Sequence, residues 1–171
     1  LTDTLLDKNG VSTSLSGKLS QFAEWEADVD FLICHDQASS RPHLHVVKPL
    51  MTFDAPGYEH QPIRVPDFME ITKIFYQGGY DRIVCSTEGP MALVALILKY
   101  QFKVPAFFFM HTDWMDFVRH NTPLDRQQQD RVRRLMRGLY QQFDGVFALN
   151  REHRDWLTGS EIGLTEDRVF L

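Results

Sequence analysis

The chain has 171 residues, 43% apolar and 24% charged, which fits a globular domain with one sizeable core and leaves too little length for two. A formal charge of -5 opposes binding of a polyanion, so no nucleic-acid partner is expected, and no apolar run approaches the roughly 18 residues of a membrane span. The two cysteines, Cys34 and Cys85, sit in separate apolar runs without metal-ligand spacing and read as buried thiols of a cytoplasmic protein.

The chain opens on the polar LTDT without Met and stops on the apolar RVFL, so both ends are expected to be cuts in a longer protein. After the Asn9-Gly10 turn, Val11, Leu15, Leu19 and Phe22 recur at helical spacing. DFLIC at 30–34 and HLHVVKPL at 43–50 predict strands, whereas Pro56, Gly57, Pro62 and Pro66 predict an irregular connection over 52–66. Phe68, Ile71, Ile74 and Phe75 predict a helix that Gly78-Gly79 stops before a strand at 82–86. The helix in PMALVALILKYQ takes Ser86 or Thr87 as its cap and Pro90 in its first turn; being apolar on most faces, it is expected to lie wedged between a sheet and another element.

VPAFFFM at 104–110 reads as a buried strand. From Arg126 to Phe143 a long amphipathic helix is predicted, with Val132, Leu135, Met136, Leu139, Tyr140 and Phe143 as its apolar stripe. GVFALN at 145–150, a helix from 151 and a final strand in RVFL complete the pattern. Short apolar strands alternating with longer helices indicate an α/β fold with a mostly parallel sheet.

In such a sheet, ligands bind beyond the carboxyl ends of the strands, where helix N-termini present N–H groups without partners. Four loops qualify: TDTLLDKNGVS with Asn9, Gly10 and Val11; STEGP with Glu88; MHTDW with His111, Asp113 and Trp114; and LNRE around Asn150. The first loop fits an anion-binding turn and an ordinary helix-initiating turn equally; neither GxGxxG nor GxxxxGK[ST] occurs. The third is the sharpest signal, because a very apolar strand ends abruptly in His111, Thr112 and Asp113. There an imidazole can donate to a ligand hydroxyl or a transferring oxygen, with Asp113 orienting it. The competing reading has His111 and Asp113 capping the next helical turn.

No metal site is expected. His43 and His45 face one side of a strand without evident partners, His35 ends its strand alone, and His111 with Asp113 lacks a third ligand. Ser86 lacks the GxSxG elbow of a hydrolase. Arg131, Arg133, Arg134 and Arg137 are accompanied by Asp125, Asp130 and Asp144 and read as a solvated helix face.

TDTLLDKNGVSTSL, STEGPMALVALILKYQFKVPAFFFMHTDWMDF and FDGVFALNREHRDWL, in this order, resemble the N-terminal domain of the GT-B glycosyltransferases of family 4. The resemblance covers essentially the whole chain. It implies a Rossmann-like sheet with helices on both faces, forming one half of a retaining glycosyltransferase. The donor is then a UDP- or GDP-sugar with no cofactor, and the acceptor a glycan, lipid or small molecule.

By resemblance, His111 is the histidine that contacts the transferred sugar, and Asn9, Gly10 and Val11 form the loop near the donor phosphates. Asp113, Trp114 and Glu88 fall on the acceptor side. The family often places a serine where Asn150 stands. A C-terminal nucleotide-binding domain, absent from these residues, is the implied partner, and a cytoplasmic protein touching the membrane peripherally is the implied setting. Another GT-B enzyme, such as an epimerase or phosphorylase, and a non-catalytic Rossmann-like module are the alternatives.

Overall fold

The computed structural model describes residues 1–6, 10–55 and 58–171, without the side chains of residues 55, 58–61, 114 and 121. Strands β1 (Phe31–Cys34) and β2 (Leu44–Val47) pair in parallel, with Phe31 opposite Leu44 and Cys34 opposite Val47. Strands β5 (Ile83–Cys85), β6 (Ala106–Phe109), β7 (Gly145–Phe147) and β8 (Val169–Phe170) form a second parallel set in that order.

The opening residues join the two sets. Thr2 bridges Ile33 in parallel and its N–H donates to Leu32 O, while the Leu1 nitrogen donates to Val84 O at 2.7 Å and Leu1 O accepts from Ser86 N–H. The result is one parallel layer, β2-β1-(1–2)-β5-β6-β7-β8. Its order reverses between residues 1–2 and β5, the doubly wound arrangement in which a crevice opens at the reversal point.

Helices cover both faces because the strands alternate their buried side chains between them. Helix α1 (Gly10–Glu24) lays Leu15 and Leu19 on Ile33, Leu44 and Val46. Against the opposite face, Cys34, Cys85, Phe108 and Val146 pack with α2 (Phe68–Gly78), α3 (Pro90–Phe102), α5 (Arg126–Tyr140) and α6 (Arg151–Thr158). Phe108 meets Tyr140 and Phe143 at ring-centroid distances of 5.1 and 5.2 Å, all fully buried, and each such side chain is worth about 1.5–3 kcal/mol of burial.

Local chemistry sets most helix ends. Asp67 caps α2 by accepting from Met69 N–H and Glu70 N–H, and Gly79 ends it in the left-handed region at φ 63°, which a glycine enters without a Cβ clash. Asp125 and Gln128 form a reciprocal capping box on α5. Helix α4 (Trp114–Asn121), which periodicity did not mark, is capped by Asp113.

Several expectations change. Residues 52–66 are not irregular: β3 (Pro49–Ala55) and β4 (Tyr58–Pro66) form an antiparallel hairpin. A two-stranded ribbon has only edge strands, so the ladder accommodates Pro49 and Pro66 at its ends and skips Pro62 at a register irregularity. Pro56 and Gly57 lie outside the described residues. Arg64 Nε anchors the ribbon to Asp36 at 2.8 Å, just beyond β1. Neither Ser86 nor Thr87 caps α3; the cap position is Gly89, which has no side chain to offer. Nor is α3 enclosed all round, since Leu93, Ile97 and Tyr100 are exposed on its outer side, and Leu135 on α5 is 65% exposed rather than part of the buried stripe.

Candidate functional site

The four loops singled out from the sequence all leave the carboxyl edge of the sheet, and side-chain bonds tie each of them to its surroundings. Thr4 Oγ1 and Ser12 Oγ, 2.7 Å apart and buried, fasten the opening loop to the first turn of α1. Asp3 fastens the same loop to the start of α3: Oδ2 accepts from Thr87 Oγ1 at 2.7 Å, Oδ1 accepts from Met91 N–H at 3.0 Å, and Asp3 N–H donates to Thr87 Oγ1. A half-buried carboxylate thus takes over the helix-capping role that Gly89 cannot fill. Burial pushes the Asp3 carboxyl above its ordinary value, with the bonds from Thr87 and Met91 pulling the other way.

The second loop is held from below. Tyr140 is fully buried and its hydroxyl donates to Glu88 Oε1 at 2.9 Å, so the half-buried Glu88 is oriented at the edge by the core of α5. Burial, followed by the Glu88 charge, raises the Tyr140 phenol well above its usual range, and Asp113 adds to the same negative field. The Asp113 carboxylate accepts from Met115 N–H and Asp116 N–H, both at 2.9 Å, so the helix-capping reading of this residue is realised. Trp114 opens α4; its side chain lies outside the description.

His111 behaves differently. Met110 and Phe108 point into the core, whereas Phe109 and His111 turn to the α1 side of the sheet. The imidazole stands edge-on to the Phe109 ring at 4.4 Å between centroids, and its Nε2 is buried with no hydrogen-bond partner among the described residues. Burial, with a smaller contribution from the Lys18 charge, lowers its pKa from 6.5 to about 4. At neutral pH the ring is uncharged and can present either an N–H donor or a lone pair.

Of the first loop, Asn9 lies outside the described residues. Gly10 is exposed, and a Cβ built there meets nothing within 4 Å, so local packing does not demand glycine. Val11 packs partly against the α1 core. Both occupy the first turn of α1, where backbone N–H groups have no intrahelical acceptor. Asn150 caps α6 through His153 N–H at 2.8 Å.

The remaining candidates have structural partners. His35 Nδ1 accepts from Gln37 N–H and Ala38 N–H. At the opposite end of the sheet, His43 and His45 surround Asp30, which also accepts from Tyr80. No group of three or more His, Cys, Asp or Glu residues suited to a metal occurs among the described residues. Burial raises Cys34 to about 11 and Cys85 to about 12, and both thiols are free. A hollow of about 350 Å³ beside Lys99, Tyr100 and Asp144 lies at the amino end of β6 and β7, away from the four loops, and Lys99 there is already bonded to Asp144 and Gln142 O. Asp3, Lys18 and Tyr140 escaped sequence reasoning; none stands in a motif, and their partners are remote in the chain.

The glycosyl transferase 4-like domain family matches residues 9–170, and the chain belongs to that family. It carries a glycosyltransferase-type domain on a Rossmann-like α/β fold. No curated protein matches it. Among the described residues no helix is long and apolar enough to cross a membrane.

Proposed function

We propose that the chain is the acceptor-side, N-terminal domain of a retaining glycosyltransferase that moves a sugar from a UDP- or GDP-sugar to a glycan, lipid or small-molecule acceptor. A C-terminal domain binds the nucleotide and closes over the carboxyl edge of this sheet. The protein works in the cytoplasm, touching the membrane peripherally when its acceptor is a lipid. The observation that carries the reading is the partnerless, buried Nε2 of His111 on that edge, within a family of this chemistry. A buried polar atom without a partner is costly, and a ligand that bonds it offsets that cost; Thr72 Oγ1 and His153 Nδ1 are in the same state, and the family chemistry is what singles out His111.

In transfer, the bond between the anomeric carbon and the donor phosphate oxygen breaks, the phosphate leaves with the electron pair, and an acceptor hydroxyl attacks on the same face, passing its proton to the departing phosphate oxygen. Neutral His111 contacts the transferred sugar as positive charge develops on the sugar ring. Gly10 and Val11 direct backbone N–H groups toward the departing phosphate. Glu88, oriented by Tyr140, and Asp113 hold acceptor hydroxyls beside Trp114. Domain closure excludes water, and the aligned reactants need no further ordering.

Replacing His111 with Ala in the full-length enzyme is expected to lower kcat about 10²-fold, the scale of one lost transition-state hydrogen bond, with little change in donor KM. Wild-type kcat in H111A would refute the assignment.

A further inference from the structure

Lys18 lies in the third turn of α1, half-buried, and its ammonium sits 5.3 Å from the centroid of the Phe109 ring. Among the described residues no carboxylate pairs with it. The same ring carries the His111 imidazole at 4.4 Å, with Nε2 buried and without a partner. Two groups able to donate, one of them cationic, thus share an aromatic wall at the carboxyl edge. Nε2 does not accept from the Lys18 ammonium, and the Lys18 charge disfavours a second proton on the His111 ring. What both lack is an anion with several acceptor oxygens.

We propose that Lys18 and His111 bind a phosphate group, borne by the acceptor or by the donor, with Phe109 as the apolar wall that strengthens the contact by excluding water. A tetrahedral phosphate offers separate oxygens to the ammonium and to the Nε2–H tautomer of the imidazole, and the neutral ring adds hydrogen bonding without a second charge. Low local polarity around Phe109 makes the attraction larger than it is in open water. The inference rests on the reading of His111 as part of the transfer site, and adds that one substrate meets the domain through phosphate at Lys18.

The test uses the full chain with ¹⁵N-labelled histidine, followed by the His111 ring signals in NMR. Inorganic phosphate, glycerol 3-phosphate and uridine diphosphate are titrated separately. A saturable shift of the His111 ring is expected, weakened about tenfold or more in Lys18→Met and recovered in Lys18→Arg, as fits one charge-assisted contact. Tighter binding of glycerol 3-phosphate assigns the phosphate to the acceptor; tighter binding of uridine diphosphate assigns it to the donor. If none of the three moves the ring, or if Lys18→Met binds as the wild type does, the site does not exist. Failure of the functional reading is separable: unchanged turnover in H111A with a phosphate-responsive ring removes the transfer role and leaves the site standing.

Discussion

At His111, burial and a neighbouring positive charge act in one direction, and the consequence is visible in a pH profile. Because the folded ring titrates near 4 rather than 6.5, its neutral form persists through the range where an ordinary histidine would gain a proton. The profile of kcat/KM, which reports the free enzyme, is expected to show no inflection of His111 origin near 6.5 and an acid limb near 4. A limb at 6.5 that vanishes in His111→Gln would contradict this. The residue itself was legible because an almost purely apolar strand delivers it to a polar edge. Lys18 was not, since nothing in the spacing of α1 distinguishes a half-buried lysine over an aromatic ring from a solvated one. Tyr140 was read only as part of an apolar stripe; its hydroxyl finds Glu88 across a separation of 52 residues, which periodicity does not encode.

Among the elements, α3 shows most clearly what local rules capture. Its length, its Pro90 start and the preceding strand were readable, but its cap was assigned to Ser86 or Thr87, whereas the carboxylate of Asp3 supplies it. Gly89 is required for a related reason: a Cβ there would lie 2.5 Å from Asp3 Oδ2. Gly89→Ala is expected to push the carboxylate off its donors and cost roughly 1–3 kcal/mol, and Asp3→Ala a similar amount, while Asp3→Asn, which keeps an acceptor, loses less. Urea unfolding of the three variants checks the order; equal stability of Asp3→Ala and wild type would remove the capping account. The hairpin of β3 and β4 was missed because prolines usually mark loops, and a ribbon with two open edges relaxes that rule. Helix α4, at eight residues, is too short for periodicity to mark, although the competing reading of Asp113 as a cap names the interaction that starts it.

The molecule as a whole carries opposing contributions to its acid stability. In Asp30 burial works against the charged form, but hydrogen bonds from Tyr80 and His45 prevail and its carboxyl lies below the ordinary value. Asp144 follows the same pattern with Ala106 N–H and Lys99, and in Asp36 the bond from Arg64 leads. Groups depressed in the folded state add stability above the unfolded carboxyl value, which is lost as pH falls through their folded values; Asp3, raised by burial, has the opposite sign. Asp81 and Asp130, lowered by their arginine neighbours, join the first group, so among the described residues five lowered carboxyls stand against Asp3, and the melting temperature is expected to hold near neutrality and fall as pH drops from about 4 to about 2. Asp144→Asn is expected to lower the neutral plateau and shallow that fall; an unchanged curve would show that the Lys99 pair contributes nothing. The parallel layering was legible because alternating strand and helix periods encode it, but the seam at residues 1–2 was not, as two residues carry no period.

That seam also has a temporal side. Asp3 leaves the ribosome 84 residues ahead of Thr87 and 88 ahead of Met91, so during synthesis its carboxylate must remain hydrated until α3 has been made. The strand formed by the opening residues can therefore be fastened at the middle of the sheet only once the chain through Met91 has been made, although its own residues come first.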